Sequence, residues 1–477
     1  MEQLNGIQSS FLAIEQSVMP LVVSSVGIYR ASDKTDFPVI RQAFLNGIAR
    51  FPVFRRRLLS VPAGLDHPYW IEDPDFDVDC HLQQIALPKP GNWHQFYLQI
   101  ARLQATPMHR DRPLWQAFVI DGLDSLSGIP KGSFAIIMRV HRAIADNGTL
   151  NEMMMRMHSL DATLPVAGGS SVCTREIRPG NGQLLTSALR NHASRWWSGG
   201  SIVRRSYARY SRQREAALDM PELPPLPATR FNCSPSTFRV VCHLPISLHD
   251  CEQMRGQVPG STLADVVLTL IGGGLRNYLL RKGELPVQSL IASLPQRLSG
   301  ELHKPSKKGA AGNVRVALHS DCERPLERLR RLQQENMAAR ARDPAADLAL
   351  LNDSSELLLP ALLKLGGSGY VRLGVRAPLA HNTYINGVYG SDHSLYFAGA
   401  EMLQSFALAP LLPGSALTHS ISRWGGSLTL GINACREALP DPDGYLKSLQ
   451  EAWQSMRDTL LPGDSTTSIE DDLVESA

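Results

Sequence analysis

His141 and Asp146 are the side chains best suited to chemistry, and they lie in the stretch Phe134-Ala-Ile-Ile-Met-Arg-Val-His141-Arg142-Ala-Ile-Ala-Asp146-Asn147-Gly148. A neutral imidazole at the end of an apolar run can take a proton from a hydroxyl, provided it is held within hydrogen-bond reach. Arg142, beside it, cannot, because a guanidinium stays protonated near neutral pH. Asp146 has two local uses open to it: capping the helix that follows, or pairing with Arg142 at the i,i+4 distance. No phosphate loop accompanies these residues. Gly272-Gly273-Gly274 sits inside an apolar helical pattern without a following Lys-Ser/Thr, so close helix packing explains it better.

The elements that must position the loop follow from periodicity. Phe134 to Val140 is an apolar run of strand length interrupted only by Arg139, and Leu21 to Tyr29 and Trp115 to Ile120 also read as strands. Phe37 to Phe51 and Phe96 to Leu103 carry apolar residues at helical spacing. Residues 1–166 are thus expected to form one α/β lobe. The stretch 167–237 breaks the pattern with Gly168-Gly169, Pro179-Gly180 and Pro221-Glu-Leu-Pro-Pro-Leu-Pro227, and it is read as a crossover linker. A second α/β lobe is expected over 238–462, with strands at Phe238–Leu244, Ser289–Leu294, Val314–Leu318 and Leu428–Asn433 and a long helix at Leu263–Arg281. The acidic end, 463–477, has no apolar periodicity and is expected to be disordered.

Composition narrows the class. With 43% hydrophobic and 19% charged residues in 477, the chain can bury two sizeable cores. A net charge of +3 is too small to imply a nucleic-acid partner. The seven cysteines are scattered without Cys-x-x-Cys spacing, so neither a metal site nor a disulfide framework is expected. The first residues lack a basic region followed by an apolar stretch, which predicts the cytoplasmic side. One basic segment stands out: Arg190 to Arg214 holds seven arginines interleaved with Trp196, Trp197, Tyr207 and Tyr210. Such a segment suits an anionic membrane or lipid-body surface, and it equally suits a solvated or packed crossover helix.

Four patches, in order, carry a family resemblance. They are Pro113-Leu114-Trp115 with Asp121-Gly122-Leu123 behind it, the His141 loop, Leu263-Ala264-Asp265-Val266-Val267, and Asn386-Gly-Val-Tyr-Gly390 running into Leu395-Tyr-Phe-Ala-Gly399. Together with Pro295-Gln296-Arg297, they make the chain resemble, over nearly its whole length, the bacterial wax ester synthase/acyl-CoA:diacylglycerol acyltransferase family. That resemblance implies a two-lobe α/β fold of the coenzyme-A-dependent acyltransferase (chloramphenicol acetyltransferase-like) kind. It also implies an O-acyltransferase that moves a fatty acyl group from acyl-CoA to a long-chain alcohol or diacylglycerol, without metal or bound cofactor.

In that family the loop reads His-His-x-x-x-Asp-Gly, and its second histidine is the general base. Arg142 stands at that position here, and Asn147 separates Asp146 from Gly148. The resemblance implies an ion pair between Asp146 and Arg297 of the other lobe, with Asp265 and Asn386 supporting the site. Lys304, Lys307 and Lys308 form a basic loop that could meet the phosphates of coenzyme A or could simply be solvated. His141 has two readings. A one-residue slip of its strand, which the extra Asn147 would accommodate, makes it a displaced base; without the slip it faces away and serves structure. The alternative to an enzyme is a catalytically silent homologue that binds acyl-CoA or neutral lipid at a membrane surface.

Overall fold

The computed structural model describes residues 1–32, 34–166, 178–194, 204, 225–295, 313–340 and 381–461. Arg297, the basic loop with Lys304, Lys307 and Lys308, most of the Arg190–Arg214 segment and the acidic end lie outside the described residues.

The first large sheet is built around the strand that leads to His141. That strand, β7 (Phe134–His141), is buried at every position. It pairs antiparallel with β2 (Val22–Arg30) and with β6 (Trp115–Asp121), and β6 runs parallel to β5 (Leu82–Ala86). One face of this sheet, with Ile136, Met138 and Val140, packs on α2 (Phe37–Ala49) and α4 (Asn147–Met157). The other face, with Ala135 and Ile137, packs on α3 (Trp93–Ala105). A strand covered on both faces is apolar at most positions, which is why β7 shows no alternation, and its one buried cation, Arg139, donates to Gln116 and to the Thr106 carbonyl. Each helix start carries its own signal: Asp36 caps α2 and Asn92 closes a capping box on α3.

A smaller sheet, ordered β1 (Glu2–Gln3), β4 (Tyr69–Glu72), β3 (Arg56–Leu59), lies against helix α5, residues 181–194. Leu184 and Ala188 of α5 pack on Leu59, Tyr69 and Ile71. Asn191 donates to Asp66 Oδ2 at 2.8 Å. The opening of the crossover is therefore docked on the first lobe.

The second large sheet has the order β10 (Asn313–Ala317), β9 (Ile291–Pro295), β11 (Thr383–Tyr389), β14 (Leu417–Trp424), β15 (Ser427–Cys435), β8 (Arg239–Ser247). Its outer face is covered by α6 (Leu248–Gly256), α7 (Leu263–Arg281), α8 (Pro325–Arg340) and α9 (Pro442–Leu460). Helix α7 is long and apolar enough to cross a membrane by composition, but it is the buried core helix of this lobe. A β-carbon on Gly272 would lie 2.3 Å from the Leu318 carbonyl, and one on Gly274 would lie 2.4 Å from Leu449 Cδ2. The glycine triplet is thus a close-packing device, as expected.

Two strands from the second half of the chain leave their own lobe. β12 (Tyr396–Phe397) and β13 (Ala400–Leu408) join the first sheet, where β13 pairs antiparallel with β2 from Glu401↔Arg30 to Leu408↔Ser24. Residues 396–408, read from the sequence as part of the lobe spanning 238–462, belong to the other sheet. Their alternation is that of any strand, and partner choice is non-local, so the sequence left it open.

Candidate active site

The end of β7 is fastened from two sides. The His141 N–H donates to the Leu114 carbonyl at 3.0 Å, and the Arg142 N–H donates to the Leu21 carbonyl at 2.8 Å. Leu114 belongs to the Pro113-Leu114-Trp115 patch, so that patch acts here as a brace for the histidine strand. Trp115 is wholly buried, donates Nε1–H to the Phe54 carbonyl at 2.7 Å and stacks on His81 at 4.7 Å between ring centroids. Burial holds the His81 imidazole below its usual pKa, against the pull of the Trp115 carbonyl, which favours the charged form.

His141 is 1% exposed, and both of its ring nitrogens are engaged within the first lobe. The Ala143 N–H donates to Nδ1 at 3.0 Å, so the ring proton sits on Nε2. Nε2 lies 3.2 Å from Glu15 Oε1, close enough for attraction though off the line of an ideal hydrogen bond. Glu15, just after α1 (Gly6–Ile14), also accepts from Arg110 at 2.8 Å and from the Leu21 N–H at 3.1 Å. Burial alone would raise the Glu15 carboxyl; His141, Arg110 and the Leu21 N–H outweigh it and hold the pKa at about 2. An imidazole whose lone pair already accepts a backbone N–H has none to offer a substrate hydroxyl. The register of β7 against β2 runs without a bulge from Phe134 to His141.

Arg142 is half-buried and turns toward α1, with its guanidinium 5.1 Å above the Phe11 ring. It does not extend toward Asp146. Asp146 caps α4, accepting from the Thr149 N–H at 2.7 Å. The expected partner, Arg297, lies outside the described residues. Asn147 is 4% exposed and donates to the Leu408 carbonyl of β13 at 3.1 Å. The residue that departs from the family spacing is thus the first of α4 and a tie between the loop and the crossing strand, and Gly148 follows it in the helix.

The remaining predicted positions separate. Asp265, fully buried, closes a capping box with Thr262 at the start of α7 and accepts from Asn336 of α8. Both of these partners belong to the second lobe. Asn386, 5% exposed, lies on β11 level with Ser420 of β14. Helix α4 packs against β11, so Asn386 belongs to the seam between the lobes. Glu15 and Arg110 were not singled out in the sequence; nothing in their spacing marks them. Among the described residues no group of His, Cys, Asp or Glu is arranged to hold a metal ion.

Comparisons with known proteins agree along the chain. The family model of the wax ester synthase/diacylglycerol acyltransferase catalytic domain matches residues 4–267, and that of the WS/DGAT C-terminal domain matches 310–457. A putative diacylglycerol O-acyltransferase of Mycobacterium tuberculosis is 26% identical over 473 residues, covering 94% of this chain and 90% of the relative. One from Mycobacterium bovis is 25% identical over 463 residues, covering 95% and 98%. Among solved structures, the wax ester synthase/diacylglycerol acyltransferase of Marinobacter aquaeolei VT8 aligns with a TM-score of 0.67 at 20% identity, over 96% of this chain and all of that one. The first condensation domain of the CDA synthetase aligns with a TM-score of 0.54 at 16% identity, over 99% and 98%. The architecture is that of the two-lobe acyltransferases.

Proposed function

The chain belongs to the wax ester synthase/diacylglycerol acyltransferase family, and from that premise we propose that it moves a fatty acyl group from acyl-CoA to the hydroxyl of a long-chain alcohol or diacylglycerol. The observation that carries the reading is the seam where the 142–147 loop, α4, β11 and β13 meet, tied by the Asn147–Leu408 bond. Acyl transfer is the family's chemistry; the choice of donor and acceptor is the proposed part. Neither a metal nor a bound cofactor is part of this proposal.

In the proposed reaction the hydroxyl oxygen bonds to the thioester carbonyl carbon, the carbon–sulfur bond breaks, and the hydroxyl proton ends on the departing sulfur. A histidine base between oxygen and sulfur normally assists by roughly 10²- to 10⁴-fold. With Arg142 at the base position and the His141 lone pair in use, this chain must rely on positioning and on polarisation of the carbonyl. Turnover is therefore expected to be slow.

The silent-homologue reading, a protein that binds acyl-CoA or neutral lipid at a membrane surface, is favoured by the same two residues. Ester product measured by mass spectrometry decides between them, using palmitoyl-CoA with hexadecanol or dioleoylglycerol. Slow formation of ester by the native protein, and formation at least about tenfold faster by Arg142→His, is the expected result. No ester from the native protein would give way to the binding reading. We also propose that the protein works on the cytoplasmic side, peripheral to a membrane or lipid body, a reading supported by acceptors that partition into lipid.

A further inference from the structure

At one level of the second sheet, four residues stand side by side on the same face: Asn386 on β11, Ser420 on β14, Gly431 on β15 and His243 on β8. The face looks toward β13. Gly431 is where the two sheets come closest, since a β-carbon there would lie 2.3 Å from the Ala407 carbonyl. β13 therefore crosses above Gly431 and divides the row. His243 lies on the side of α3, stacked on Phe406 and bonded to Tyr97 at 3.0 Å. Asn386 and Ser420 lie on the side of α4 and the 142–147 loop.

The two sides differ in how their polar atoms are satisfied. Along β14, Ser422 accepts from the Ala407 N–H at 3.0 Å, and Thr418 donates to the Ala409 carbonyl at 3.3 Å. Ser420, between them on the same face, is 1% exposed and its Oγ has no partner. Leu408, the β13 residue between Ala407 and Ala409, gives its carbonyl to Asn147 instead. Beside Ser420, Asn386 is 5% exposed and its Oδ1 also has no partner. Two neighbouring buried polar groups left unsatisfied cost folding stability, and native proteins seldom keep them without a ligand or function. Here they are aimed into the seam at the level where the loop of the proposed reaction touches β13.

We propose that Ser420 donates its hydroxyl hydrogen to the thioester carbonyl of the acyl donor and that Asn386 beside it accepts from the acceptor hydroxyl. This rests on the acyl-CoA reading given above. Adjacent strands are spaced by about 4.8 Å, so groups held by neighbouring residues meet near attacking distance. Ser420 then opposes the charge that builds on the carbonyl oxygen as the hydroxyl adds, the part of the reaction still open to help when no base is present.

Infrared difference spectra of bound palmitoyl-CoA, with and without ¹³C at the acyl carbon, test the assignment on the full chain whether or not it turns over. The carbonyl band should lie lower than in free palmitoyl-CoA and return toward the free position in Ser420→Ala and in Ser420→Cys, which puts a larger and poorer donor at the same place. The melting temperature of Ser420→Ala should match or exceed the native one, since an orphaned hydroxyl is removed. Turnover should fall by roughly 100-fold with little change in KM for palmitoyl-CoA, and Asn386→Ala should raise KM for the acceptor. A bound thioester whose band is the same in native and variant proteins overturns the assignment alone. Absence of any palmitoyl-CoA binding overturns it together with the acyl-CoA reading.

Discussion

At the scale of single residues, the Glu15 carboxylate is the quiet centre of the site. It joins His141, Arg110 and the Leu21 N–H under α1 and so fixes the end of β7. Its pKa is depressed from 4.5 to about 2. A depressed carboxyl contributes stability that is complete above the unfolded value and is lost as pH falls from about 4.5 toward 2. The shift corresponds to a contribution on the order of 3 kcal/mol at neutral pH. Glu15→Gln should remove that contribution and flatten the stability curve in this window, as followed by urea unfolding between pH 5 and pH 3; equal slopes in both proteins would count against the assignment. His141→Ala should lower stability through the same cluster and leave the Arg142→His gain in ester formation largely in place, because the imidazole at 141 has no free lone pair. The sequence made the loop, its histidine and the missing base legible, since these are types at fixed spacing. It hid Glu15 and Ser420, whose roles exist only through contacts with distant parts of the chain.

Strands and helices were legible in proportion to how local their causes are. β7, β2, β6 and α7 stand out because apolar runs and caps are written in adjacent residues; α7 spans Leu263–Arg281, as its pattern predicts. β13 was not legible as a member of the first sheet, because pairing with β2 is settled by tertiary packing and not by its own residues. The contact between β13 and β15 has a single tolerance. A β-carbon on Gly431 meets the Ala407 carbonyl at 2.3 Å and Phe406 Cδ2 at 3.6 Å, so Gly431→Ala must push backbone from backbone. We expect a loss of about 1–3 kcal/mol, the usual range for overpacking, and weaker acyl-donor binding from a misaligned seam. Calorimetric melting beside palmitoyl-CoA titration would check both; an unchanged melting temperature would show that the sheets can separate freely at this point.

At the scale of the whole molecule, imidazoles held neutral by burial act as an acid limit on the fold, and among the described residues they include His158, His243 and His419. Burial holds His158 and His243 near a pKa of about 4 and His419 near about 3, below the ordinary 6.5. A histidine with a depressed folded pKa binds fewer protons folded than unfolded. Its contribution is therefore complete above about pH 6.5 and is lost as pH falls toward 4. Melting temperature should drop steadily between pH 6.5 and pH 4, and a flat profile across that interval would contradict the buried, neutral state of these rings. Because β12 and β13 come from the far half of the chain yet complete the first sheet beside β2, the two halves of the gene are not independent folding units. A polypeptide ending in the crossover would leave the β2 edge open, and an exposed apolar edge invites aggregation. Expressed alone, such an N-terminal half should be insoluble. Co-expressed with the C-terminal half, it should be recovered as a soluble non-covalent pair, because the second fragment supplies the missing strand.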